Sequence, residues 1–247
     1  MVIAQVTDIH IGFDLGNPEE FNRLRLDQVI ARLSGGPNTP SVLLATGDLT
    51  DKGDDESYTL LAGIFADAPW PVLPCVGNHD CRDSFCAHFP GFADSNGFVQ
   101  YVRDFGALRL IVIDTLEEGR HGGAFCADRA AWLRDRLTEA PDTPTYIVMH
   151  HPPFETGIEW MTTHPAEPWV ARFTAAIAGC SQVRGLICGH IHRAMTVQWH
   201  GLTVAVCSSV SPQVALDLRA IKDEPPDHRP MIVAEDPGYA LHYWNGE

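Results

Sequence analysis

Short, mainly apolar segments recur along this chain, and five of them are followed within a few residues by a histidine, aspartate or asparagine. These segments lie at residues 2–6, 41–45, 70–76, 145–149 and 183–188. Apolar runs without alternation are typical of strands that are covered on both faces, as in parallel sheets flanked by helices. The carboxyl ends of parallel strands meet at one edge of a sheet, where ligands bind. The pattern therefore predicts an α/β fold with a functional site at one sheet edge.

The polar groups at these strand ends are two carboxylates, one amide and four imidazoles. They are Asp8, His10, Asp48, Asn78, His150, His190 and His192. Taken singly, each is equally typical of a turn, a helix cap or a surface loop. Three consecutive strand ends of this kind are not expected from independent turn residues, and this favours a shared site. On an extended backbone, residues 8 and 10 would project to one face and could contact one cation.

The number and chemistry of these groups favour a metal centre. A tetrahedral zinc ion needs only three or four ligands, so seven are better explained by two ions that share a bridging carboxylate. Mixed nitrogen and oxygen ligation favours Zn, Mn, Fe or Co over Ca or Mg.

Helical and strand-like segments fill the rest of the chain. Apolar spacing predicts helices at 19–33, 56–66, 128–137 and 167–178, and a short helix within 81–96. An antiparallel pair is predicted at 98–103 and 107–114, with its turn at 104–106. Strands are predicted in the tail at 194–199, 202–207, 231–234 and 239–244.

The acidic composition narrows the class of ligand. The net charge is −15, whereas a protein that binds polymeric nucleic acid needs a basic face. We therefore predict no polymeric nucleic acid partner. A small anionic substrate remains compatible with this charge, because bound cations supply local positive charge.

The sequence also predicts the cellular compartment of the protein. No apolar segment approaches the roughly 20 residues of a membrane span, and residues 1–6 have the pattern of a strand and not of a signal peptide. The seven cysteines are odd in number and form no C-x-x-C pair. We expect a cytoplasmic protein with no membrane partner.

Five motifs, in this order, resemble those of the calcineurin-like metallophosphoesterases. They are Asp8-x-His10, Gly47-Asp48-x-x-Asp51, Gly77-Asn78-His79-Asp80, His150 and Gly189-His190-x-His192. The two prolines after His150-His151, the compact length and the strand-rich tail look most like the branch of class III cyclic-nucleotide phosphodiesterases and glycerophosphodiesterases. The resemblance implies a four-layer α/β/β/α sandwich, in which two mixed β-sheets face each other with helices outside.

The resemblance also implies a cofactor, two divalent or trivalent transition-metal ions (Mn, Fe, Zn or Co). Asp8, His10, Asp48 and His192 would hold the first ion, and Asn78, His150 and His190 would complete the second around a bridging Asp48. His79 would stabilise the transition state or protonate the leaving alkoxide, and Asp80 would orient it. Asp51 would support the turn, and His151 would lie behind the ligands or on the substrate side.

The implied function is that of a metal-dependent phosphoric diester hydrolase. It would cleave small anionic phosphodiesters (cyclic nucleotides or glycerophosphodiesters) by in-line attack of a metal-bridging hydroxide. A phosphomonoesterase or a phosphonate or nucleotide hydrolase is the main alternative, because the same metals serve those reactions. A scaffold that has lost catalysis would lack ligands, and a structural zinc protein would favour cysteine.

Residues outside the motifs are candidates for substrate contacts and for assembly. His121, Trp160, Met161 and His164 could line a pocket and Phe13 could contact a base or glycerol, although ordinary loop packing explains each of them equally well. We predict one metallophosphoesterase domain over residues 1–247. Its strand-rich part, 194–247, includes a candidate dimerisation arm at about 208–230. The hypothesis is a homodimer or higher homo-oligomer.

Overall fold

Twelve strands and five helices make up the described part of the computed structural model, residues 1–221 and 229–246. The strands are β1 (Val2–Val6), β2 (Val42–Thr46), β3 (Val72–Cys75), β4 (Tyr101–Phe105), β5 (Leu108–Val112), β6 (Thr145–Val148), β7 (Val183–Cys188), β8 (Met195–Trp199), β9 (Leu202–Val206), β10 (Gln213–Val214), β11 (Ile232–Val233) and β12 (Ala240–Tyr243). The helices are α1 (Phe21–Gly35), α2 (Asp55–Ala66), α3 (Arg82–His88), α4 (Ala127–Glu139) and α5 (Pro168–Ile177). A 3₁₀ turn lies at Glu159–Met161.

The strands form two mixed sheets and a short ribbon. The smaller sheet has the order β12-β1-β2-β3, with β1, β2 and β3 parallel and β12 antiparallel to β1. The larger sheet has the order β4-β5-β6-β7-β9-β8, with parallel pairs at its centre and an antiparallel strand at each edge. The ribbon pairs β10 with β11.

Three hydrophobic clusters lie between the layers, and strand β2 supplies two of them. Val42 and Leu44 of β2 belong to the cluster between the sheets, whereas Leu43 and Ala45 belong to the cluster with helices α1 and α2. A third cluster joins the larger sheet to α4 and α5. Because successive side chains of a strand point to opposite faces, a strand that is buried on both faces is apolar throughout. The predicted four-layer α/β/β/α sandwich is confirmed.

The hairpin of β4 and β5 differs from the sequence-based prediction. Asp104 and Phe105 were predicted in the turn, but they pair with Arg109 and Leu108 across the two strands. The Asp104 carboxylate lies 2.8 Å from the Arg109 guanidinium, so this cross-strand ion pair extends the ladder. The turn is therefore formed by residues 106 and 107, with Gly106 at a φ of +64°.

The tail returns to the core in two places. Strand β12 pairs with β1, and the β10–β11 ribbon follows the hairpin of β8 and β9. The candidate dimerisation arm at 208–230 includes residues 222–228, which lie outside the described residues. Among the helices that the structure describes, none combines the length and hydropathy needed to cross a lipid bilayer.

Candidate metal centre

The loops that follow β1, β2, β3, β6 and β7 meet at one edge of the two sheets. Main-chain hydrogen bonds join them: Asp8 N–H donates to Gly47 O at 3.0 Å, and His10 N–H donates to Asp48 O at 3.0 Å. Gly189 N–H donates to His150 O, also at 3.0 Å, and thereby joins the last two loops. The predicted site residues are therefore brought together by backbone contacts between motifs that are distant in the sequence.

Two of the motif glycines permit this close approach. A Cβ atom on Gly77 would lie 2.3 Å from Oδ1 of Asp48, and one on Gly47 would lie 2.4 Å from Nδ1 of His150. Gly47 also has a φ of +90°, which L-residues with a side chain rarely adopt. These glycines let the second and third motifs pack directly against the ligand candidates.

Most of the ligand candidates have a left-handed backbone. Asp8, His10, Asp48, His190 and His192 have φ angles between +47° and +71°. Among the described non-glycine residues, the only other residue of this kind is His200. The expectation of an extended backbone at residues 8 and 10 is therefore wrong. Such conformations cost roughly 1–2 kcal/mol each, and they cluster at functional sites, where surrounding contacts enforce them.

Each of the two carboxylates has one oxygen held by the protein and one directed at histidines. Oδ2 of Asp8 accepts hydrogen bonds from Thr7 Oγ1 (2.8 Å) and His190 N (3.0 Å), while Oδ1 lies 3.4 Å from His192 Nε2. Oδ1 of Asp48 accepts from His79 N at 2.8 Å. Its Oδ2 lies 3.3 Å from His150 Nε2 and 3.7 Å from His10 Nε2. Asp48 thus stands between two histidines.

Three histidines direct Nε2 into the centre because an acceptor engages their Nδ1. Nδ1–H of His150 donates to Thr46 O at 2.8 Å, and that of His192 donates to Pro212 O at 2.9 Å. Nδ1 of His10 lies 3.4 Å from the Asp51 carboxylate. In the neutral ring this arrangement places the lone pair on Nε2, as is typical of metal-ligating histidines.

Four buried atoms at this edge have no hydrogen-bond partner within the described residues. They are Asp8 Oδ1, His10 Nε2, Asn78 Oδ1 and His150 Nε2. Buried polar atoms are normally partnered, and these are nitrogen and oxygen donors of the kind that transition metals bind. The residues therefore fit a metal centre.

The metal-competent side chains fall into groups whose donor atoms lie within 4.8 Å of one another. One group contains Asp8, His10, Asp48 and His192, and another contains His150, His151 and His190. A third, more exposed group contains His10, Asp51 and His79.

A cleft of about 390 Å³ opens onto this cluster. Its lining includes His10, Asp48, Asn78, His79, His190 and His192. It also includes Phe13, His121, Trp160 and Met161, four of the five residues suggested for substrate contacts. His164 does not line it: this side chain is exposed and lies 3.6 Å from the Glu155 carboxylate.

Comparison with known proteins agrees with this geometry. The family model described as calcineurin-like phosphoesterase matches residues 1–194. The chain belongs to the calcineurin-like phosphoesterase family. The family uses metal ions, and the predicted enzyme class, a metal-dependent phosphoesterase, is confirmed.

Two curated relatives cover most of the phosphoesterase chain. It is 36% identical over 225 residues to a probable cyclic nucleotide phosphodiesterase of Rhodopseudomonas palustris, covering 86% of this chain and 80% of that protein. It is 32% identical over 255 residues to a probable glycerophosphodiester phosphodiesterase of Arcobacter nitrofigilis, covering 100% and 90%. Both belong to the branch that the sequence resembles.

A solved structure agrees with the fold. The phosphoesterase resembles a dimetal phosphatase from Danio rerio with a TM-score of 0.64 at 14% identity, covering 85% of this chain and 88% of that one.

In the phosphoesterase, the pKa values of the histidines at the metal centre shift in opposite directions. Burial lowers the pKa of His150, but the charge of Asp48 outweighs this and raises the pKa to about 9. Burial would raise the pKa of Asp48, yet the facing His150 and His10 hold it well below its ordinary value. Without a metal ion, His150 is thus protonated and paired with Asp48, and a cation bound there would displace that proton.

His190 and His151, in contrast, are neutral. Burial lowers the pKa of His190 well below its ordinary value, and the adjacent His151 and His150 lower it further. Burial and His150 likewise lower the pKa of His151. Neutral imidazole is the form that binds metal ions.

The structure gives His79 a different orienting partner from the one the resemblance implied. Nδ1 of His79 is bonded to the main-chain oxygen of Asp51 at 2.8 Å. The Asp80 carboxylate instead accepts from Leu49 N, Thr50 N and Oγ1, Tyr58 OH and Gly77 N, at 2.8–3.2 Å. Asp80 therefore holds the second and third motif loops together, and Asp51 orients His79.

Sequence reasoning did not identify two further contacts. The Pro212 carbonyl, in the strand-rich tail, fixes the tautomer of His192. Thr115 and His121, in the loop after β5, bond both ring nitrogens of His151. Both contacts join residues far apart along the chain, and neither has a sequence motif that could have revealed it.

Proposed function

We propose that this phosphoesterase is a binuclear metal-dependent phosphodiesterase that hydrolyses small phosphodiesters. The observation that carries the proposal is the position of Asp48 between His10 and His150, which belong to different groups of donors. A carboxylate in that position is suited to bridge two ions about 3.5–4 Å apart.

The ligand assignment follows from the side chains around Asp48. The first ion would be held by Asp8, His10, Asp48 and His192, and the second by Asp48, Asn78, His150 and His190. His190 and His192 would thus bind different ions, in agreement with their membership of different groups. His151 is excluded as a ligand because both its ring nitrogens already have partners.

The chain's own residues would complete the chemistry. When bound, two such ions supply a nucleophile from water at neutral pH and offset the charge of the phosphodiester. The Asp51 carbonyl holds Nδ1 of His79, so that Nε2 can carry a proton to the leaving oxygen. Proton transfer of this kind contributes roughly 10²–10⁴-fold to a rate.

Small diesters are supported as substrates by the cleft and by the relatives. A volume of about 390 Å³ accommodates a nucleotide-sized molecule and not a wrapped polymer. The relatives' names refer to cyclic nucleotides and to glycerophosphodiesters. Monoesters and phosphonates are the competing substrates, since the same ligands would serve them.

A substrate panel with metal-reconstituted protein tests the proposal. The metal-free protein is loaded with Mn²⁺, Co²⁺, Zn²⁺ or Fe²⁺, and bound metal is measured by mass spectrometry. The kcat/KM is then compared for cyclic AMP, a 2′,3′-cyclic nucleotide, glycerophosphoethanolamine, a phosphonate monoester and p-nitrophenyl phosphate. We expect two ions per chain and a preference for diesters. A strong preference for the monoester, or one ion at full activity, would contradict the proposal.

A further inference from the structure

In the buried cluster, the ring of His151 has a hydrogen-bond partner outside the metal-competent groups at each of its two nitrogens. Nδ1 lies 2.8 Å from Thr115 Oγ1, and Nε2 lies 3.2 Å from the main-chain oxygen of His121. The ring packs within 4.6 Å of the His190 ring, measured between centroids, so it lies directly behind a ligand candidate.

These partners determine the tautomer of His151. A carbonyl oxygen can only accept, so Nε2 must carry the hydrogen that it donates to His121. Nδ1 of the neutral ring must then accept from the Thr115 hydroxyl. That hydroxyl oxygen in turn accepts from the main-chain N–H of His151 at 3.4 Å. The hydroxyl thus acts as both donor and acceptor, and the His121 carbonyl determines which nitrogen of His151 is protonated.

The loop formed by residues 115–124 rests on this ring. Ala124 N–H donates to Thr115 O at 2.9 Å and closes the loop. A Cβ atom on Gly123 would lie 3.0 Å from Cβ of His151, which is closer than an ordinary van der Waals contact, so the loop packs tightly against His151. The hydrogen bond from His151 to the His121 carbonyl then holds the middle of the loop.

The held residue, His121, extends into the substrate cleft. Its side chain lines the cleft beside the metal-competent edge, and its ring centroid lies 4.7 Å from that of His190. His79 lines the same cleft from the third motif. A phosphoryl group at the centre would therefore have an imidazole from each of two loops within the cleft.

We propose that His121 contacts the phosphoryl oxygens of the substrate, and that Thr115 and His151 are positioning residues that hold it there. This inference rests on the proposed function, because it assumes that the cleft binds a phosphodiester. It gives the second histidine of the His150-His151 doublet a role distinct from that of the first: His150 faces the metal centre, whereas His151 supports the opposing loop.

Three substitutions and two matched controls test the contact. In the manganese-loaded protein, His121→Ala, His151→Leu and Thr115→Val should each weaken binding of inorganic phosphate, measured by calorimetry. They should also raise KM for bis(p-nitrophenyl) phosphate. We expect roughly a 10-fold effect for His121→Ala, as for loss of a hydrogen bond to a charged group, with metal content unchanged. His164→Ala, an exposed histidine outside the cleft, and Thr115→Ser, which keeps the hydroxyl, should match the parent. Unchanged phosphate binding in His121→Ala would overturn the inference.

A double-mutant cycle tests whether His151 acts through His121. If it does, the variant with both His121→Ala and His151→Leu should bind phosphate no more weakly than His121→Ala alone. Additive losses would mean that His151 acts by another route and would contradict the positioning role. If His151→Leu does not fold, the same cycle with Thr115→Val decides the question.

Nitrogen-15 NMR of the metal-free protein gives a readout that does not depend on activity. We expect the His151 ring to carry its proton at Nε2 in the parent and in Thr115→Ser, because the His121 carbonyl can only accept. A parent ring protonated at Nδ1 would refute the proposed arrangement. Should the loaded parent fail to hydrolyse any diester, the proposed function falls, whereas phosphate binding and the tautomer still decide this inference.

Discussion

Two ligand candidates at the metal centre, Asp8 and His150, each hold their position with one side-chain atom and leave another available for binding. In Asp8 and His150, one side-chain atom is fixed by a hydrogen bond at 3.0 Å or less, and the opposite atom is buried without a partner among the described residues. The left-handed backbone of Asp8 makes this orientation possible at a local energetic cost. Such a division preorganises ligands before an ion arrives, as binding sites require.

His79 offers the clearest test of a single catalytic group. We expect His79→Ala to keep near-normal metal content, because only the main-chain N–H of this residue contacts Asp48. Diester turnover should fall roughly 10²–10⁴-fold with loss of the acid. Steady-state kinetics on an alkyl diester, with metal analysis alongside, make the comparison. Parental turnover of that alkyl diester would refute the acid role.

Asp80 should behave as a structural residue. Asp80→Asn removes a carboxylate that accepts from three main-chain N–H groups and two hydroxyls. We expect the free energy of unfolding of the metal-free protein to fall by about 2–3 kcal/mol. Tyr58→Phe deletes one of these bonds and should cost less, about 1 kcal/mol. Urea denaturation measures both, and a variant with parental stability but greatly reduced turnover would favour the orienting role implied by the resemblance.

At the scale of elements, the cleft is built from segments that are remote in sequence. The loop after β1 contributes Phe13, the 3₁₀ turn contributes Trp160, and β10 and β11 contribute Val214 and Ile232. The first of these is held firmly: the buried Glu20 carboxylate accepts from Gly12 N at 2.8 Å and Phe13 N at 2.9 Å. Apolar side chains therefore line the cleft together with the polar metal-competent residues.

Phe13 should discriminate between diesters that carry a nucleobase and diesters that do not. Phe13 is 69% exposed and lines the cleft, where stacking on a nucleobase is worth roughly 1–3 kcal/mol. We expect Phe13→Ala to raise KM for cyclic AMP about 10-fold and to leave KM for glycerophosphoethanolamine unchanged. Leu15→Ala, on the same loop but outside the cleft lining, is the control. Equal effects of Phe13→Ala on both substrates would argue against stacking.

At the scale of the whole molecule, the metal centre joins the two sheets. Asp8, Asp48 and Asn78 follow strands of the smaller sheet, whereas His150 and His190 follow strands of the larger one. Ions bound between them would cross-link the layers from both sides of the interface. Folding stability and metal binding should therefore be coupled.

Metal removal tests this coupling. At a free Mn²⁺ concentration about 100 times Kd, binding stabilises the folded state by about 2.7 kcal/mol, so calorimetry should give a higher Tm for the loaded than for the chelated protein. Asp48→Ala should lose both ions and with them the metal-dependent shift in Tm. Asp67→Ala, an exposed aspartate at the end of α2, should keep the shift. Two tightly bound ions in Asp48→Ala would disprove the bridging role.

The assembly state is the second property of the whole molecule to test. Leu216 and Leu218 are each 63% exposed, and Ile232 is 50% exposed, beside the β10–β11 ribbon. Exposed apolar side chains grouped in this way are typical of an interface. We predict a homodimer through the tail, measured by light scattering at micromolar concentration. A monomeric mass at that concentration would remove this prediction.

The sequence by itself determined which segments form buried strands and which polar residues follow them. The apolar strands carry no alternation because both of their faces are covered, and their polar ends, from Asp8 to His192, must converge wherever parallel strands share an edge. The position of the strands and of their polar ends depends on local pattern, which can be read from the chain alone, whereas the four layers were implied by the family resemblance.

Only the tertiary structure decided how the individual side chains are used. Asp80 turns to the main chain of neighbouring loops while Asp51 supports His79, and His150 faces the centre while the adjacent His151 bonds to the His121 loop. Spacing along the chain does not specify these directions, since a left-handed residue such as His10 turns its neighbours away from the alternation of a strand. The partners come from remote segments, and only folding brings them within hydrogen-bond distance.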